Sequence, residues 1–113
     1  MADFDPRDFI PLPNLPLHVL LALAEGEMHG WAIVKCIEEI TAGAQSPSSG
    51  SLYLAMTRLQ EQGLIAHAPS PPDETDARRR YYALTAAGRA VLSLEVGRFA
   101  GLVERARALG VTG

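Results

Sequence analysis

Residues 48–85 set out their parts in an order that leaves few folds open. Ser48 and Ser49 stand where helix N-caps belong, with hydroxyls able to accept from the first free backbone N–H groups of a following helix. That helix is expected over about residues 50–62, and Gly63 closes it. Leu64, Ile65, Ala66 and His67 continue as a short strand, and residues 68–77 form a proline-rich, acidic loop. Arg78, Arg79 and Arg80 then lead into a second strand, Tyr81, Tyr82, Ala83 and Leu84. A helix running into a hairpin with a basic base is the layout of a winged helix that reads DNA.

The flanking segments supply the support such a unit needs. Leu17, Leu20, Leu21 and Ala24 repeat at helical spacing before Gly26, which predicts a first helix over residues 17–25. Ile33, Ile37 and Ile40 recur at i, i+4 and i+7 with Glu38 and Glu39 opposite, which predicts a second over residues 31–41. On the third helix, Leu52, Ala55, Met56 and Leu59 fall on one side at 100° per residue and face a core. Gly50, Leu54, Thr57, Arg58 and Glu61 face outward, with Tyr53 on a flank. In the second strand Tyr82 and Leu84 are the inward pair.

Thr85 caps a last helix reaching about residue 109. Along it Leu92, Val96, Phe99, Val103 and Ala106 alternate steps of four and three, the seam of a coiled coil. A second stripe of Ala87, Val91 and Leu94 is expected on the domain core. Two apolar stripes call for two partners, so the chain is expected to form a homodimer.

With 113 residues, 48% of them hydrophobic, the chain can build one small core. The expected division is an N-terminal arm over residues 1–14, a winged-helix DNA-binding domain over 15–85, and a dimerisation helix and tail over 86–113. The fold class is mostly α with a small β-hairpin. The arm carries three prolines and three aspartates, yet Phe4, Phe9, Ile10 and Leu12 suit a docked segment better than a solvated one. A formal charge of −3 excludes attachment to nucleic acid by bulk charge, so local charge has to serve.

Cys36 is the single cysteine, which excludes an intramolecular disulfide, and its place beside Ile33 and Ile37 suits a buried, inert thiol. Residues 1–14 lack the apolar run of a secretory signal, and the longest apolar stretch, residues 19–24, falls far short of the roughly 20 residues a membrane helix needs. The expected location is the cytoplasm. His18, His29 and His67 sit on different elements without the spacing of a metal site, so no metal and no cofactor is expected. No Gly-x-Ser-x-Gly and no phosphate-binding loop is present, which weighs against an enzyme.

These residues resemble the PadR family of bacterial transcriptional regulators. The resemblance runs over about residues 15–95, through His29, Gly30 and Trp31, then Ser49, Gly50, Ser51, Leu52 and Tyr53. It continues through Arg58 and Leu59, Gly63, Leu64 and Ile65, and the segment from Arg78 to Thr85 with Gly88. It implies a homodimer that binds a pseudo-palindromic operator on double-stranded DNA, usually as a repressor, in some members released by a small aromatic effector. The short C-terminal helix is similar to that of the smaller subfamily. Ser51 and Leu54 stand where the family commonly has threonine and proline, and Asp73, Glu74 and Asp76 make the wing unusually acidic.

The chemistry fits that role. A helix entering the major groove needs small or polar residues at its N-terminal end and donors that reach phosphates or base edges. Ser49, Gly50, Ser51, Tyr53, Thr57 and Arg58 meet that need, and Leu54 and Thr57 suit a thymine methyl. Arg78, Arg79 and Arg80 offer charge to phosphates or a narrow minor groove, Arg79 and Arg80 ahead of Arg78; ion pairs with the neighbouring acids are their competing role. Trp31 is expected half-buried at the corner of the first two helices, and Trp31 and Phe99 are the candidate effector contacts. The rival reading is a winged helix serving as a protein-interaction or ligand-sensing module without sequence-specific DNA binding.

Overall fold

The computed structural model describes residues 3–112; residues 1–2 and 113, the outer ends of the expected arm and tail, lie outside the described residues. A 3-10 turn, Pro6–Phe9, precedes α1 (Asn14–Leu23), β1 (Met28–His29), α2 (Gly30–Ile40), α3 (Ser49–Glu61), β2 (Ile65–Ala68), β3 (Tyr81–Leu84) and α4 (Ala86–Ala108). The helices surround one core, in which Val19, Leu20, Ile33, Ile37, Leu59, Leu64 and Val91 are sealed from solvent.

The first helix begins three residues earlier than apolar spacing suggests. Pro13 is its N-cap residue and Pro16 lies in its first turn, where backbone N–H groups have no partner inside the helix and proline costs nothing. The proline-rich stretch is therefore partly the helix start. Upstream of it the arm docks: Phe9, Ile10 and Leu12 pack against the core, and the 3-10 turn lies on α4.

The hairpin has a third member. Strands are ordered β1-β3-β2, all antiparallel, with Met28 opposite Tyr82, His29 opposite Tyr81, and Ile65 opposite Leu84. The expected two-stranded wing is thus a three-stranded sheet. Two residues are too few to display the alternation by which a strand is read, so β1 exists because β3 offers it an edge.

The join between α3, the sheet and α4 fixes where the wing stands. Gly63 takes φ +77°, and its N–H donates to Gln60 O while the Leu64 N–H donates to Leu59 O, both at 3.0 Å. This is a Schellman closure, with buried Leu59 and Leu64 as its apolar pair. The Thr85 hydroxyl donates to Gly63 O at 2.7 Å and accepts from the Gly88 N–H at 3.0 Å. One side chain therefore ties the end of α3 to the start of α4. Gly88 is required there, since a Cβ would stand 2.0 Å from Leu64 O.

The core-facing stripe of α4 differs from the expected Ala87, Val91 and Leu94. Gly88, Val91, Leu92 and Glu95 are buried, while Leu94 is exposed. Ala87 and Val91 pack as expected, but the stripe turns toward the docked arm and so takes in a carboxylate no apolar pattern marks.

Candidate nucleic-acid interface

The N-terminus of α3 is built by its cap. The Ser48 hydroxyl accepts from the Ser51 N–H at 3.1 Å and lies 3.0 Å from the Ser51 hydroxyl, so Ser48 rather than Ser49 closes the helix. The helix then divides as its sequence suggests. Leu52, Met56 and Leu59 are buried, and Ser49, Gly50, Ser51, Tyr53, Leu54 and Arg58 are exposed, with Thr57 half-buried. Tyr53 and Leu54, adjacent on this face, keep 69% and 70% of their surface open. A Cβ at Gly50 would meet open space, so nothing within the protomer requires glycine there.

The wing is less free. Arg78, Arg79 and Arg80 line a recess of about 560 Å³ with His67, Ser70 and Tyr81. Arg78 pairs with Asp76 at 3.3 Å, and Arg79 with Glu74 at 3.5 Å. Arg80 is exposed and has no ion pair among the described residues. Glu74, with only 7% of its side chain open, is the organiser of the loop. It accepts from the Tyr81 hydroxyl in a short hydrogen bond, from the Asp76 N–H at 3.0 Å and from Arg79. The Tyr81 hydroxyl, then the Asp76 amide and Arg79, hold its carboxyl down to about 2. The acids therefore shape the wing as well as offsetting its charge.

Trp31 and Phe99 occupy different places. Trp31, expected half-buried, is 64% exposed on the first turn of α2, with Lys35 Nζ 5.2 Å from its ring centroid. Its position one residue after the helix start aims it past the corner. With Val34, Leu52, Tyr53, Met56 and Tyr82 it lines an apolar groove of about 460 Å³ beside the head of α3. Phe99 lines a second groove of about 390 Å³ with Leu17, His18, Leu21, Ile40 and Val96, so one protomer does not bring the two aromatics together. The Nδ1 of His18 is buried there without a hydrogen-bond partner, and burial lowers its pKa.

Of the expected seam, Leu92 is already in the protomer's core at 6% exposure, whereas Val96, Phe99 and Val103 are open and Ala106 is half-buried. Leu102, outside the expected seam, is 55% exposed. Cys36 is buried and donates to Glu25 Oε2 at 3.4 Å; burial first and Glu25 second push its thiol up to about 11. No helix among the described residues is long and apolar enough to cross a membrane, and no three His, Cys, Asp or Glu among them stand together as metal ligands.

Two residues beside the wing also escape a reading by sequence. His29 caps α2, its Nδ1 accepting from the Ala32 N–H at 3.3 Å, and its ring also meets Arg79 across the sheet. Glu74 is one acid among three in the loop, and only its contacts with Tyr81, the Asp76 N–H and Arg79 single it out.

A helix exposed along one face, flanked by a sheet whose far hairpin carries arginines, defines a winged-helix protein. The chain belongs to the PadR-like family of transcriptional regulators, whose family model matches residues 19–94. It is 40% identical over 87 residues to an uncharacterized 37.1 kDa protein in transposon TN4556 of Streptomyces fradiae, covering 77% of this chain and 23% of that one. The chain spans about a quarter of the length of the curated relatives it matches. Its fold is similar to a PadR family transcription regulator from Clostridium difficile R20291, with a TM-score of 0.71 at 21% identity over 86% of this chain and 98% of that one. It is also similar to Bacillus subtilis PadR in complex with operator DNA, with a TM-score of 0.62 at 24% identity over 74% and 46% of the two chains.

Proposed function

We propose that this regulator is a cytoplasmic repressor that binds a pseudo-palindromic operator as a homodimer, with α3 in successive major grooves and the wing on the flanking backbone. The observation that carries the reading is the exposed face of α3, where Ser49, Gly50, Ser51, Tyr53, Leu54, Thr57 and Arg58 lie together over a buried face that anchors them. The likeness to a PadR protein seen on operator DNA supports it. Among the wing arginines Arg80 contributes most, Arg79 once it leaves Glu74, and Arg78 least.

Residues 15–85 do the reading and residues 86–113 the pairing, with the arm bracing one against the other. The pairing surface is Val96, Phe99, Val103 and Ala106, joined by Leu102 and by the groove under Phe99; Leu92 supports it from within. A small aromatic effector would enter a groove lined by Trp31 or by Phe99 and release the DNA.

The test is selection of bound fragments from genomic DNA by the purified chain, with and without aromatic carboxylates. Enrichment of fragments sharing an inverted repeat with half-sites about 34 Å apart supports the reading. Capture of a protein partner with no DNA retained supports an interaction module instead.

A further inference from the structure

His29 and Arg79 meet in a way that hydrogen bonding within the protomer does not satisfy. His29 Nδ1 accepts from the Ala32 N–H at 3.3 Å, so that nitrogen bears no proton and the neutral ring carries its hydrogen on Nε2. The same Nε2 lies 3.3 Å from Arg79 Nη1, which is always a donor. Two N–H donors therefore face one another.

The ring cannot easily turn away. Tyr81 meets it edge-on at 5.3 Å between centroids, Trp31 lies at 6.4 Å with ring planes 20° apart, and the backbone of His29 is paired with Tyr81 in the sheet. A ring held by two aromatics, a cap and a strand keeps its orientation. Arg79 is held less firmly, its only acid partner being Glu74 at 3.5 Å, and 44% of its side chain is open to solvent.

The His29 Nε2–H has no acceptor among the described residues, and Arg79 Nη1 has only the long contact to Glu74 at 3.5 Å. One anionic oxygen can sit about 2.9 Å from each of two nitrogens that are 3.3 Å apart, taking both hydrogen bonds at ordinary length. We propose that His29 Nε2–H and the Arg79 guanidinium form a seat for one phosphate oxygen of the DNA backbone, between the head of α2 and the wing. The seat rests on the DNA-binding reading and adds to it a contact from β1 that neither α3 nor the arginine run supplies. An incoming phosphate also gives Arg79 a better partner than Glu74 and so couples the acidic loop to DNA binding.

Two variants separate the two nitrogens of the ring. Asparagine at this position places an acceptor near Nδ1 and nothing near Nε2, so His29→Asn keeps the helix cap and removes the outer donor. Glutamine places its amide nitrogen near Nε2, so His29→Gln keeps the donor and weakens the cap. Affinity for a random-sequence duplex at low salt is expected to fall about tenfold in His29→Asn with an unchanged urea midpoint, and to stay within about threefold in His29→Gln despite a lower midpoint. Nitrogen-15 spectra of the histidine rings should show His29 protonated on Nε2 at neutral pH, with that resonance moving when duplex is added. Undiminished binding by His29→Asn, or an Nδ1-protonated ring, overturns the seat while DNA binding stands. A wild-type chain that binds no duplex overturns both.

Discussion

Glu95 Oε2 accepts a hydrogen bond from the Leu12 backbone N–H at 2.7 Å, joining residues 83 positions apart. The carboxylate is wholly buried and is completed by Arg98 at 2.6 and 3.2 Å. Arg98 first, with Leu12 adding to it, holds the acid below the usual carboxylate range. Arm and α4 are thus locked where α4 leaves the core. Glu95→Ala leaves the Leu12 amide unpaired and should cost about 2 kcal/mol in urea unfolding. Exchange of the Leu12 amide should quicken by more than the global loss of stability explains.

Gly88→Ala tests the join between the wing and α4. The new methyl would meet a backbone oxygen, which cannot swing aside as a long side chain can. A loss of about 1–3 kcal/mol is expected from thermal or urea unfolding. Gly50→Ala points into open space and should change stability little while altering DNA affinity.

Glu74 gives the wing a pH dependence whose sign is fixed. Its carboxyl titrates near 2 in the folded chain against 4.5 ordinarily, so its stabilising effect is complete above about 4.5 and is lost as pH falls from there toward 2. Urea midpoints of wild type and Glu74→Gln should differ by a constant amount above pH 5 and converge toward pH 2. At neutral pH Glu74→Gln should also bind DNA more tightly, because Arg79 loses its charged competitor.

Much of this organisation is legible in the sequence, and the parts that are not have physical causes. The inward and outward faces of α3 follow from its own spacing, because the helix lies flat on the core. Gly63, Thr85 and Gly88 mark the turns they make, since those turns need a left-handed residue, a cap and a missing Cβ. What escapes is set by distant partners. The strand at Met28–His29 takes its form from β3, and Glu95 is buried because an arm some eighty residues upstream supplies its donor. Trp31 reads as half-buried at the corner of the first two helices, yet its place in the first turn of α2 turns it outward.

The dimer surface is tested by mass. Phe99→Glu with Val103→Glu places two charges on an apolar strip that also holds Val96 and Leu102. Light scattering should give twice the 12.1 kDa chain mass for wild type and the single mass for the variant, with the helical content of α4 retained.

DNA binding through α3 and the wing is tested most directly by the salt dependence of affinity for an operator fragment recovered from genomic DNA. Wild type should show a steep linear fall of log K with log salt, and Arg79→Ala with Arg80→Ala should flatten the slope by about 0.9 for each phosphate no longer neutralised. An unchanged slope in that variant would contradict the wing's role, and failure of wild type to retain any fragment at low salt would contradict DNA binding itself.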